Sequence, residues 1–292
     1  MNLIKYEDSL SFQSAVQDYL LIHETENNLP LGILSNIIAG EYLDKPPYLS
    51  LVEEDGEVLL VVMRTPPFPA LFSFEEKPLD EEVINLVIED LWKTFGSELT
   101  SLTGNKKLVA PLTDTWQNTT GLEGILKMAM RIYKLEQVIP VSNVPGGMRP
   151  AIEKDESLIL EWFEDFYREA LREEPTEEQV KTQAETYLMA DPLQRGLLIW
   201  EDGGKPVSMA GYTGPTTNGI RIGAVYTPPA LRRRGYASAC VANTSQHLLD
   251  LGFQFCFLFT DLLNPTSNHI YQQVGLKPVN DVDTYEFIER QQ

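Results

Sequence analysis

The chain has 292 residues, of which 43% are hydrophobic and 23% charged, enough apolar material for one large globular domain or two ordinary ones. Its 43 acidic against 23 basic side chains leave a net charge of −20, which argues against nucleic acid and anionic membrane surfaces as partners. No apolar run reaches the ~18 residues of a membrane helix, residues 1–8 lack the basic-then-apolar pattern of a leader, and Cys240 and Cys256 lie in apolar patterns, so a reducing cytoplasm is expected. His23, His247 and His269 have no metal-ligand spacing, and no metal site is expected.

In chain order, the first half predicts strands over 47–53 and 58–64 around a turn at Glu54-Asp55-Gly56. A helix over 81–95, a strand over 107–111, a helix over 122–130 and a strand over 132–139 follow. The stretch 140–150, with Pro145-Gly146-Gly147, reads as a linker, dividing the chain into domains 1–140 and 147–292. Helices are expected over 158–171 and after Thr176, then a hairpin of 196–201 and 207–212 around Asp202-Gly203-Gly204. A strand over 220–226, a helix over 237–251, a strand over 253–260, a short helix from Pro265 and a strand near 285–288 complete a mixed α/β (α+β mixed-sheet) fold. The first half echoes this plan through its own hairpin. It is read either as a degenerate copy of the second half or as an unrelated α/β domain.

The densest chemistry lies after strand 220–226. Pro228 and Pro229 end the strand, because neither can donate to a sheet ladder. Arg232-Arg233-Arg234-Gly235-Tyr236-Ala237 then opens a helix whose first-turn N–H groups are unpaired. Gly235 permits close backbone approach, small Ala237 keeps bulk away, and three guanidinium groups add charge for phosphate oxygens. Cations at a helix N-terminus oppose its dipole unless an anion lies between them, so an anion site outranks a solvated basic patch. Neither a G-x-G-x-x-G nor a P-loop pattern is present, which sets aside dinucleotide and nucleoside triphosphate binding.

Val225-Tyr226-Thr227 followed by Arg232-x-x-Gly235-x-Ala237 resembles motif A of the GNAT acyl-CoA-dependent N-acetyltransferases, Gln/Arg-x-x-Gly-x-Gly/Ala. Asn264, Ser267, Tyr271 and Gly275-Leu276 resemble that family's next segment, and the ordered set spans about 147–290. The resemblance implies a GNAT-like fold, in tandem if the first half is a copy, with acetyl-CoA as cofactor. Strand 220–226 would splay from its parallel neighbour, and pantetheine would bond to the main chain of Val225 and Thr227. An N–H of Tyr226 or Thr227 would meet the thioester carbonyl. Arg232, Arg233, Arg234, Gly235, Tyr236, Ala237 and Ser238 would hold the diphosphate, Asn264 and Ser267 would touch the coenzyme, and Tyr271 would be the general acid. For Asn264, which precedes Pro265, an N-cap is the competing and compatible reading; for Tyr271 it is plain packing on the sheet.

The implied reaction is acetyl transfer to a primary amine by direct attack in a ternary complex. The alternatives are a non-catalytic acyl-CoA-binding module and a transferase of longer acyl groups. Many relatives carry a Glu on the strand equivalent to 220–226, whereas Arg221 is the only ionisable residue there besides Tyr226, leaving the general base open. Twelve Asp or Glu between 153 and 185 suit a cationic acceptor, a small molecule or a peptide. A homodimer is left open.

Overall fold

A computed structural model describes residues 1–40, 45–188 and 191–290. The first half runs β1 (Asn2–Tyr6), α1 (Ser9–Ile22), α2 (Asn28–Ile38), β2 (Tyr48–Glu54), β3 (Glu57–Arg64), β4 (Ala70–Phe72), α3 (Glu81–Phe95), β5 (Ser101–Asn105), α4 (Lys106–Thr120) and β6 (Glu123–Leu135). The second runs β7 (Gly147–Pro150), α5 (Glu156–Phe166), α6 (Glu177–Leu188), β8 (Gly196–Asp202), β9 (Lys205–Thr213), β10 (Gly219–Tyr226), α7 (Tyr236–Asp250), β11 (Phe255–Asp261), α8 (Pro265–Val274) and β12 (Lys277–Ile288). The order of elements is the same in both halves: strand, two helices, three strands, helix, strand, helix, strand.

The chain divides into two compact units, Met1–Arg131 with Asn280–Gln292, and Ile132–Val279. In the first, β2 pairs antiparallel with β1 and β3, β4 pairs parallel with β5, and β5 pairs antiparallel with β12 from Glu286↔Ser101 to Val282↔Asn105. Phe12, Val16 and Leu20 of α1 fill one buried cluster, while Val87 and Leu91 of α3, Leu108 and Trp116 of α4 and Phe287 of β12 fill another. The second unit repeats this layering. Ile159 and Trp162 of α5 and Ala184 of α6 fill one cluster; Val241 of α7 and Tyr271 and Val274 of α8 belong to another.

Two stretches of the first half depart from expectation. Residues 107–111 are helix, not strand: Leu108, Leu112 and Trp116 recur every four residues as one buried stripe. The Asn105 side chain caps this helix by accepting from the Lys107 amide at 2.8 Å. Residues 122–130 are strand, not helix. Gly121, left-handed at φ +77°, ends α4, and sheet pairing then overrides a sequence of good helix formers. Ile125 and Leu126 stay 46% and 47% exposed, so no helical stripe forms there. Smaller departures are a π turn at Tyr167–Leu171 ending α5, β7 inside the expected linker, and a β12 that starts at Lys277.

Phe287 stacks on Trp116 at 5.3 Å, with Trp92 edge-on to the same indole at 5.7 Å. Phe287→Ala is expected to destabilise the first unit by about 3 kcal/mol, read as a lower denaturation midpoint of tryptophan emission.

Candidate functional site

The site begins with a disruption of β10. The strand pairs antiparallel with β9 at Arg221↔Thr213, Ile222↔Tyr212 and Gly223↔Gly211, then resumes at Tyr226↔Met209 after a bulge. Ala224 takes a positive φ of +47° there. A bulge inserts one residue into a period of two, so every later side chain changes face. Ile220 and Ile222 accordingly join Val241 and Tyr271, whereas Ala224 and Tyr226 join the α5 and α6 cluster. On its other edge β10 pairs parallel with β11 only from Gly219↔Phe255 to Arg221↔Phe257. Beyond Arg221 the two strands part, and main-chain groups from Ile222 to Tyr226 have no ladder partner on that side among the described residues. Ser208, fully buried, donates to the Tyr226 carbonyl at 3.0 Å and shares a 2.8 Å hydrogen bond with the Thr227 hydroxyl, pinning the far end of the parted strand.

After Thr227 the chain makes a short 3-10 turn at Pro229–Leu231 and enters α7 through Gly235. Gly235 sits at φ +84°, and a Cβ there would come within 2.7 Å of Val144 Cγ2. Glycine is required by conformation and by space. As N-cap residue it supplies no side chain, so no cap bond engages the first-turn amides of Tyr236, Ala237 and Ser238. Arg233, at φ +64°, and Arg234 are exposed beside that turn. Arg232 has a different place: its Nε donates to the Thr227 carbonyl at 2.8 Å and its Nη2 to Glu169. The Tyr236 ring turns inward, its hydroxyl donating to Asp202 at 2.6 Å, which leaves only its amide at the turn. In the first unit α3 opens on Asp80, Glu81 and Glu82, acids that answer the helix dipole themselves. The segment from Ser73 to Asp80 has neither arginine nor glycine.

Asn264 is the N-cap of α8, its Oδ1 accepting from the Ser267 amide at 3.0 Å. Seven residues on, Tyr271 is 7% exposed, packed in the cluster that holds Ile220 and Ile222 of β10 and Leu258 of β11. Burial pushes its phenol up to about 12, with the Ser267 hydroxyl pulling weakly the other way. Burial likewise pushes the Cys240 and Cys256 thiols up to about 12, leaving neither a ready nucleophile.

The sequence reading counts Asp165 and Glu169 among twelve acids over 153–185 without singling them out; both stand opposite β10. The Tyr226 hydroxyl donates to Asp165 at 2.9 Å and approaches Glu169 at 3.3 Å, residues of α5 and of the π turn behind it. Burial first, and then these two acids, push the Tyr226 phenol well up. The only trace in the sequence is two acids four residues apart in a helix; the bulge that turns Tyr226 toward them leaves none. Arg172, at the end of the π turn, pairs with Asp261 at 3.0 Å. Among the described residues no three His, Cys, Asp or Glu gather as a metal would need, and no helix is long and apolar enough to cross a membrane.

Residues 157–276 match the model of the acetyltransferase (GNAT) family. Among curated proteins none matches. Among solved structures, a GCN5-related N-acetyltransferase from Sphaerobacter thermophilus superposes with a TM-score of 0.63 at 13% identity, covering 97% of this chain and 94% of that one. One from Kribbella flavida gives 0.59 at 14% identity, covering 88% and 95%. A tandem GNAT protein from the clavulanic acid biosynthesis pathway gives 0.56 at 10% identity, covering 97% of each chain. Residues 157–276 thus form a domain of the GNAT acetyltransferase family, and the fold of the chain over both halves is that of these structures.

Alanine at 235 must accept a left-handed backbone and displace Val144. Gly235→Ala is expected to cost about 1–2 kcal/mol, seen as a lower thermal midpoint, and to be milder in a Val144→Ala background, where only the backbone strain remains.

Proposed function

We propose that the second unit transfers an acetyl group from acetyl-CoA to a primary amine, by direct attack within a ternary complex. The observation that carries this reading is the parted strand leading into an uncapped, arginine-flanked helix start. The residues fit the coenzyme. Peptide groups of Val225 and Thr227, on and just past the unpaired edge of β10, suit the amides of a pantetheine arm. The amides of Gly235, Tyr236, Ala237 and Ser238, with Arg233 and Arg234, suit a diphosphate. Arg232, already bonded to Thr227 and Glu169, braces the turn. When bound, the coenzyme supplies an activated thioester carbonyl.

Three tasks remain for the chain. An N–H at Tyr226 or Thr227 meets the carbonyl oxygen, and one such donor is worth about 3 kcal/mol in comparable acyl transfers. Asp165 and Glu169 draw the acceptor ammonium to the end of β10, and Asp165, the carboxylate not held by arginine, is placed to take its proton. The amine nitrogen would bond to the acetyl carbon as the carbon–sulfur bond breaks, Tyr271 would give its proton to the leaving sulfur, and the proton shed by the new amide nitrogen would restore Tyr271 through solvent. Buried Tyr271 keeps that proton across the working range. Asn264 and Ser267 hold the helix turn that carries it. The first unit, lacking an arginine–glycine turn, acts as a non-catalytic partner.

Thiol release from acetyl-CoA with 1,4-diaminobutane, lysine, an aminoglycoside and a short peptide tests the activity. Tyr271→Phe is expected to lower kcat at least tenfold with coenzyme affinity unchanged; full kcat in that variant removes the acid role, and a chain with no release from any amine is a binding module. Arg233→Glu with Arg234→Glu is expected to abolish coenzyme binding in a calorimetric titration while leaving the fold intact. As pH rises from about 7 to 10 the amine loses its proton while a Tyr271 titrating at about 12 keeps its own, so kcat/KM should climb with no alkaline fall in that window.

A further inference from the structure

We propose that Tyr133, at the end of β6, is a positioning residue that sets the orientation of the Tyr271 ring and thereby the path of its proton. The inference rests on the Tyr271 reading above and adds to it a residue that no motif of the chain contains.

Tyr133 lies in the same unit as Tyr271 and is fully buried. Its ring meets that of Tyr271 edge-on, with centroids 6.3 Å apart and planes at 61°. Aromatic pairs favour this arrangement, because the positive edge of one ring faces the negative face of the other. What distinguishes Tyr133 from an ordinary core tyrosine is how its far end is held. Its hydroxyl donates to Asn268 Oδ1 at 2.9 Å and accepts from Gln272 Nε2 at 3.1 Å. Asn268 has no freedom to turn away. Its Nδ2 donates to the carbonyl of Asp261 at 2.9 Å and to that of Asn264 at 2.7 Å, which leaves the amide oxygen for the phenol.

Asn268 and Gln272 stand on α8 either side of Tyr271, so the helix that presents the acid also grips the ring packed against it. Asn264, the cap of α8, and Asp261, the last residue of β11, anchor the same chain of bonds to the strand that parts from β10. The Tyr133 ring, packed edge-on against that of Tyr271, limits its swing. Proton transfer falls steeply with misplacement on the scale of an ångström, so a ring fixed by two hydrogen bonds has a kinetic consequence that its packing alone lacks.

Tyr133→Phe keeps the ring and removes both hydrogen bonds; Gln272→Ala, at an exposed position, removes one and spares the core. Both variants are measured in the native chain and in Tyr271→Phe, by thiol release from acetyl-CoA with the most active amine of the panel above. In the native background Tyr133→Phe should lower kcat about threefold to tenfold, the kinetic equivalent of a hydrogen bond or two, with the KM for acetyl-CoA unchanged. Gln272→Ala should lower it less. In the Tyr271→Phe background neither should lower it further. Full kcat in both variants, or equal losses in the two backgrounds, overturns the positioning role. If Tyr271→Phe itself keeps full kcat, the acid reading fails and the inference fails with it, an outcome distinct from equal losses.

Discussion

Main-chain polar groups need partners, and β10 gives up its partners where the molecule needs them most. A buried N–H or C=O left without a hydrogen bond costs as much as the bond it lacks, so strands rarely part inside a domain. Here the strands part past Arg221, and β10 is held by its own contacts. The bulge at Ala224 twists the strand and reverses its alternation. Ser208 grips the Tyr226 carbonyl, and Trp162 of α5 packs near the Tyr226 ring, with centroids 6.1 Å apart. Arg232 then fastens the Thr227 carbonyl to Glu169. Each contact would be dispensable in an ordinary strand. Together they keep, among the described residues, a strand edge without a ladder partner close in sequence to a helix start without a side-chain cap.

The two units share a plan and differ at a few chemically distinct positions. Both have the same order of elements, and both open the helix after β5 or β11 with an asparagine cap, Asn105 in one and Asn264 in the other. Seven residues past the cap stand Leu112 in the first unit and Tyr271 in the second, each buried on the sheet. The helix after β4 opens on three acids, the helix after β10 on glycine behind three arginines. A hydroxyl at one position and a reversal of charge at one helix start separate the two units, over buried clusters laid out in the same order.

Legibility followed the periodicity of burial. The hairpin of β8 and β9, strand β10, helix α7 and the cap of α8 all announce themselves through apolar alternation, glycine turns and Asn-Pro, and the structure has them there. The region 107–130 misled for a physical reason. Leu108-Val109-Ala110 is short enough to suit a strand, and Leu122 to Met130 is rich in helix formers, so only the register of neighbouring strands decides. At the site, residues announced by backbone geometry, Gly235 and Asn264, were readable. Asp165, Ser208 and Tyr133 were not, because each matters through a partner more than a dozen residues away, and the bulge that aims Tyr226 is written in no motif.

The last strand has a consequence for synthesis of the chain. From Asn280 onward β12 belongs with residues 1–131, and it supplies β5 with a neighbour and Trp116 with a stacking partner. In synthesis, residues 132–279 leave the ribosome ahead of that neighbour. The inserted half can complete its own core first, while β5 waits with an open edge, so the half that emerges first is the last to close.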